Sequence, residues 1–168
     1  MIKIGDRFPA TTLMEFVEQA GEGCSVGPNK VDTEAAMAGK TIALFAVPGA
    51  FTPTCSVNHL PSYLKRCADF KAAGVDEIWC VSVNDVFVMG AWAREQGTAG
   101  KIRLLADGDA ALARATGLTL DLNGHGMGLR SNRYSMLLQD GVVKVLNVEG
   151  PGKFEVSDAD TLLAQIKA

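Results

Sequence analysis

The residue best placed for chemistry is Cys55. It follows a short apolar run, residues 41–47, and the loop Pro48-Gly49-Ala50-Phe51-Thr52-Pro53-Thr54. Behind it, Leu60, Tyr63, Leu64, Cys67 and Phe70 recur at helical spacing until Gly74, the pattern of an amphipathic helix that begins near Cys55. A cysteine in the first turn of a helix faces unpaired backbone N–H groups and the positive end of the helix dipole, and both favour the thiolate. Cys55 is therefore the candidate nucleophile, against the plainer role of a small buried apolar residue.

The other cysteines, Cys24, Cys67 and Cys80, form no C-x-x-C pair with it or with one another, and His59 and His125 are the only histidines. That set suits neither a zinc site nor a thioredoxin-type dithiol. His59 stands four residues after Cys55, within reach of it on one helix, so a cysteine hydrolase or acyltransferase built on Cys55-His59 is one alternative. A thiol redox sensor without turnover is another. The run Gly124-His125-Gly126-Met127-Gly128 precedes a strand, whereas a phosphate-cradling loop follows one and opens a helix. It is read as a flexible approach to Arg130 and Arg133.

These residues need a frame. Residues 41–47 and 77–83 read as buried strands. Asn84 or Asp85 caps a helix over 86–96 that Gly97 stops. A short strand over 103–105 and a short helix over 110–116 follow. Residues 134–139 and 142–148 read as a hairpin around Asp140-Gly141, a type I′ signature. Ser157-Asp158-Ala159-Asp160 opens a terminal helix. Residues 21–29 read as a surface loop, and Trp79, Trp92, Phe45 and Phe70 as packing residues. Helices alternating with strands and ending β-β-α predict an α/β, thioredoxin-like fold with a central mixed sheet flanked by helices.

The segment Pro48-Gly49-Ala50-Phe51-Thr52-Pro53-Thr54-Cys55-Ser56 resembles the P-x-x-x-T-x-x-C active-site loop of peroxiredoxins, cysteine-dependent peroxidases. Several further segments are similar to the type II, or peroxiredoxin-5, subfamily. They are His59-Leu60-Pro61, Gly128-Leu129-Arg130-Ser131-Asn132-Arg133-Tyr134-Ser135-Met136, the opening Ile4-Gly5-Asp6-Arg7-Phe8-Pro9, and Val81-Ser82-Val83-Asn84-Asp85. The resemblance implies that Cys55 is the peroxidatic cysteine, oxidised by hydrogen peroxide and small alkyl hydroperoxides. It implies that Thr52 offers its hydroxyl to peroxide and sulfur, that Pro48 shields the centre from water, and that Arg133 holds the thiolate and offsets charge on the leaving oxygen. Taken alone, Arg133 reads as a solvated strand-end charge.

The resemblance also implies a non-covalent homodimer, to which Phe51, Phe87 and Met89 would lend an apolar patch. Animal-type members carry a resolving cysteine before the last helix, where Gly152-Lys153-Phe154-Glu155-Val156-Ser157 has none. Cys80 occupies the position of a second cysteine in plant-like and bacterial members, but the strand around it should be covered on both faces. The expectation is a one-cysteine cycle recharged by glutathione with glutaredoxin, or by thioredoxin, with no metal, flavin or haem.

Composition bounds the rest. At 168 residues the chain is expected to be one domain, residues 1–168, on a prior of ~150 residues per domain. With 48% apolar and 21% charged residues it is globular rather than disordered. A net charge of −3 without basic runs argues against nucleic acid or an anionic membrane as partner. The longest apolar run, residues 42–47, is far short of the ~20 residues of a membrane span. An acid and Pro9 arrive before any stretch of signal-peptide length, so the expected compartment is the reducing cytoplasm, where the cysteines start as thiols.

Overall fold

The computed structural model describes residues 1–21 and 25–168; Cys24 lies outside them. The buried runs of the sequence line up as the middle of a seven-stranded mixed sheet whose strands, in spatial order, are β2 (Gly27–Asp32), β1 (Thr12–Val17), β5 (Arg103–Ala106), β4 (Glu77–Ser82), β3 (Thr41–Val47), β8 (Tyr134–Gln139) and β9 (Val142–Val148). Its central strands, β3 (Thr41–Val47), β4 (Glu77–Ser82) and β5 (Arg103–Ala106), are parallel. β8 (Tyr134–Gln139) and β9 (Val142–Val148) add antiparallel at one edge. Asp140 and Gly141 both take positive φ, 48° and 76°, as the type I′ turn requires.

Strand alternation divides the core between the two faces of the sheet. Phe45, Cys80 and Leu104 point to the face packed by Tyr63, Trp92 and Leu162. Leu44, Trp79 and Leu105 point to the opposite face, with Met37 and Leu112. The helices on the first face are α2 (Leu60–Ala72), α3 (Val86–Gln96) and α5 (Ala159–Lys167). Phe45 and Tyr63 stack with centroids 4.0 Å apart and ring planes 8° from parallel. Such a pair adds about 0.5–1.5 kcal/mol beyond the burial of its surface. Asp85 caps α3 by accepting from the Val88 N–H, Gly97 ends it in the left-handed region, and Asp158 caps α5.

Three departures from the sequence reading have physical causes. Part of the expected surface loop is a strand: β2 (Gly27–Asp32) pairs antiparallel with β1 (Thr12–Val17). β2 is an edge strand, and only there can a segment holding Gly27 and Pro28 join a sheet. Asp32 then caps the one-turn α1 (Thr33–Met37) through the Glu34 and Ala35 N–H groups. After α4 (Ala111–Thr116), the glycine run is the tip of a small hairpin between β6 (Thr119–Leu122) and β7 (Gly128–Ser131). The third departure is the expected apolar patch: Met89 is fully buried, whereas Phe51, Val57 and Phe87 are exposed. No helix among the described residues is long and apolar enough to cross a membrane.

Candidate active site

The loop after β3 is fixed by its neighbours before it reaches Cys55. Asn84, just past β4, accepts a hydrogen bond from the Ala50 N–H at 2.9 Å and another from the Ser82 hydroxyl at 2.6 Å. Gly49 packs closely: a Cβ there would lie 3.1 Å from Thr52 Cγ2 and 3.3 Å from an Arg130 nitrogen, so those side chains would have to give by a few tenths of an ångström. Phe51 sits at φ 65°, a left-handed conformation that costs a residue with a side chain of order 1–3 kcal/mol. Pro48 is half-buried at the strand exit and Thr52 is half-buried in the loop. The Thr52 hydroxyl donates to the Gly49 carbonyl at 2.7 Å, so its proton is aimed at the backbone rather than at the sulfur.

Helical backbone begins at Pro53, widens into a π turn over Cys55–His59, and continues as α2. Two side chains of α3 brace the turn. Trp92 Nε1 donates to Ser56 Oγ at 3.0 Å, and Gln96 Nε2 donates to the Ser56 carbonyl at 3.2 Å. Cys55 is fully buried at the start of this turn. Trp92 reads from its sequence context as a packing residue; its indole N–H has a second task, bracing the turn, that no spacing signals.

Arg133 approaches Cys55 from β8. It precedes Tyr134 on the strand beside β3 and is only 8% exposed. Its Nη2 donates to Cys55 Sγ at 3.2 Å and its Nη1 donates to His59 Nδ1 at 2.9 Å. It is not the solvated charge that its sequence context alone suggests. Because a guanidinium only donates, Nδ1 of His59 must be unprotonated, and the ring proton sits on Nε2, which donates to the Ser157 carbonyl at 3.0 Å. Burial, with the charge of Arg133, lowers the His59 pKa from 6.5 to about 3, so the ring is neutral. Cys55 and His59 are thus joined through Arg133 and share no hydrogen bond with each other, which disfavours a thiolate–imidazolium pair.

Cys80 lies on β4, fully buried, in the same apolar cluster as Cys55. Burial pushes its thiol well up, and the nearby Cys55 acts in the same direction, so the sulfur is held as a protonated thiol. Cys67 is half-buried on α2. Arg130 stays beside the loop, donating to the Met127 and Val83 carbonyls at 2.8 and 3.0 Å.

A buried sulfur at the start of a helix, behind the central strand of a thioredoxin-like sheet and facing a guanidinium, defines a cysteine-based oxidoreductase. Residues 3–163 match the Redoxin family model. The chain is 46% identical over 165 residues to Peroxiredoxin-2E-2, chloroplastic, of Oryza sativa subsp. japonica, covering 96% of this chain and 71% of that protein. Reduced Prx3 of Vibrio vulnificus in complex with H2O2 superposes with a TM-score of 0.91 at 48% identity, over 99% of both chains. Peroxiredoxin 5 of Alvinella pompejana does so at 0.85 and 33%, again over 99% of both. The chain belongs to the peroxiredoxins, within the thioredoxin-like superfamily. It is a thiol-dependent peroxidase, acting on peroxide with a thiol as reductant.

Proposed function

We propose that Cys55 is the peroxidatic cysteine, served by Thr52, Arg133 and Pro48, in a cycle that uses no second cysteine of this chain. The observation that carries this reading is the Arg133 Nη2 contact with Cys55 Sγ at 3.2 Å, with both residues buried. The thiolate attacks the terminal oxygen of R–O–O–H. An S–O bond forms, the O–O bond breaks, the sulfur becomes Cys–SOH, and the departing R–O⁻ takes up a proton. Arg133 pairs with the thiolate and then meets the charge that grows on the leaving oxygen. With its proton committed to Gly49, Thr52 Oγ1 offers lone pairs to the O–H of the peroxide. Pro48 limits water at the strand exit.

The sulfenic acid is then attacked by an external thiol, giving a mixed disulfide and water, and a second thiol releases Cys55 as thiol and leaves with the disulfide. Glutathione, with glutaredoxin, fits this better than thioredoxin, because the fully buried Cys80 is anchored in the middle of the sheet. A disulfide requires Cα atoms roughly 4.4–6.8 Å apart with suitable Cβ vectors, and Cys80, paired with β3 on one side and β5 on the other, has little freedom to move toward Cys55. The reading takes residues 1–168 as one domain. It takes the working form as a homodimer formed through the exposed Phe51, Val57 and Phe87 around the loop, and the reducing cytoplasm as the compartment suited to unpaired thiols.

The test is to oxidise the protein with one equivalent of peroxide, trap the remaining thiols, and map the products by mass spectrometry with and without glutathione. The expected product is a glutathione adduct on Cys55. A dominant Cys55–Cys80 disulfide, with turnover lost in Cys80→Ser, would overturn the one-cysteine cycle. Light scattering that finds a monomer at micromolar concentration would overturn the dimer.

A further inference from the structure

Glu149 is a buried carboxylate, only 3% exposed, and the peroxide chemistry described above does not use it. It stands just past β9, beside Arg133, and its N–H donates to the Arg133 carbonyl at 3.0 Å. Its carboxylate accepts from the N–H groups of Glu155 (2.9 Å), Val156 (2.9 Å) and Ser157 (2.8 Å), and from the Ser157 hydroxyl (2.7 Å). Burial pushes the carboxyl up, but these four donors outweigh it and hold the group below its usual range.

The clamped segment reaches the active site by two routes. The Ser157 carbonyl accepts from His59 Nε2 at 3.0 Å and from the Tyr63 hydroxyl at 2.9 Å. Phe154 lays its ring 4.9 Å from that of His59 and 5.8 Å from the Arg133 guanidinium. The hydrogen bonds close a ring. It runs from the Arg133 backbone to Glu149, on to Ser157 and His59, and back to the Arg133 guanidinium beside Cys55.

We infer that Glu149 is a positioning residue for the peroxidase reaction: by clamping residues 155–157 it fixes the Ser157 carbonyl, which sets the tautomer and orientation of His59 and so aims Arg133 at Cys55. The inference rests on Arg133 acting at Cys55, as proposed above. Four of these bonds converge on Oε2, and the Glu155 N–H also reaches Oε1 at 3.0 Å, so Glu149→Gln keeps the size of the side chain but sets an amide N–H₂ against the Glu155 N–H and withdraws the negative charge that strengthens the remaining bonds, loosening the segment.

The experiment measures second-order oxidation of Cys55 by hydrogen peroxide in the parent, Glu149→Gln, Arg133→Gln and the double variant, with folding checked by circular dichroism. Glu149→Gln is expected to slow oxidation about ten- to a hundredfold, the scale of a small misplacement at a reacting centre. In the Arg133→Gln background the same change should cost less than about twofold, since the two act through one guanidinium. Nitrogen NMR of isotope-labelled histidine, with two histidines to resolve, should show His59 protonated on Nε2 alone in the parent and as a tautomer mixture in Glu149→Gln. A role confined to stability would leave that signature unchanged in the folded variant. If Glu149→Gln does not fold, Ser157→Ala removes one clamp bond, keeps the carbonyl, and should slow oxidation severalfold with the same dependence on Arg133. Parental rate and parental histidine signals in the folded variant overturn the inference, as does slowing that persists in full without Arg133. If Arg133→Gln is slow while Glu149→Gln is parental, the clamp alone fails. If Arg133→Gln is itself parental, the proposed site fails with it.

Discussion

Arg133 and Cys55 are 78 residues apart in the chain, yet a guanidinium nitrogen lies 3.2 Å from the sulfur, with both residues buried. β8 lies next to β3 in the sheet, so the start of one strand opens beside the exit of the other. The same guanidinium holds His59 at 2.9 Å. Its two ends are therefore both engaged, and it has one orientation available.

Cys55→Ser is expected to abolish peroxide consumption, since a serine hydroxyl does not supply a comparable nucleophile at neutral pH. Arg133→Gln should slow Cys55 oxidation by about a hundredfold or more, the cost of losing one donor from a site of developing negative charge. Arg133→Lys should recover little of it, because an ammonium lacks the fork that reaches Cys55 Sγ and His59 Nδ1 together. Thr52→Val should also slow oxidation. Stopped-flow measurement of single-turnover oxidation checks all four: a parental rate in Cys55→Ser, Arg133→Gln or Thr52→Val removes that residue from the site, and one in Arg133→Lys shows that a positive charge suffices without the fork.

Asn84→Ala removes the acceptor for the Ala50 N–H and the Ser82 hydroxyl. Orphaning such donors costs about 1–3 kcal/mol, which denaturant unfolding would register, and the loosened loop should slow peroxide oxidation as well. Loss of stability at a parental rate would separate the loop's anchoring from its chemistry.

Gly49→Ala places a methyl group 3.1 Å from Thr52 Cγ2 and 3.3 Å from an Arg130 nitrogen. Thr52 must shift to relieve the contact, at about 1–3 kcal/mol for an over-packed site. The variant should fold and oxidise slowly, and its kinetics should resemble those of Thr52→Val more than those of Arg133→Gln.

The pH dependence of stability should carry the mark of His59. Its folded pKa, about 3, lies below its ordinary 6.5, so between those values the unfolded chain binds a proton that the folded chain does not. The contribution is fully present above pH 6.5 and is lost as pH falls toward 3, with a limiting slope of about 1.4 kcal/mol per pH unit. His59→Asn, which keeps an acceptor near the Nδ1 position, should flatten that part of the stability profile in denaturant titrations between these limits. An unchanged slope would mean that His59 is not held neutral.

The sequence determined what local patterning can specify: the central strands, α2 and α3, the Asp140-Gly141 hairpin, the capped last helix, and Cys55 behind a proline-glycine loop. These are short-range matters of hydrophobic period, capping and turn chemistry, and each was legible within a dozen or so residues. β2 was not, because Gly27-Pro28-Asn29 has no strand preference of its own and becomes a strand only when β1 offers it an edge. The hairpin of β6 and β7 was likewise hidden behind its glycines. Arg133 could be singled out only by family resemblance; its partners were decided by the packing of β8 beside β3. His59 stood four residues from Cys55, yet tertiary structure engaged both its ring nitrogens elsewhere, with Arg133 on one side and Ser157 on the other. The ring of hydrogen bonds through Glu149 joins residues as far apart in the chain as His59 and Ser157, and no periodicity encodes it. Buried polar groups must find partners wherever the fold brings donors and acceptors together, so that part of the site exists only once the sheet and helices have closed around it.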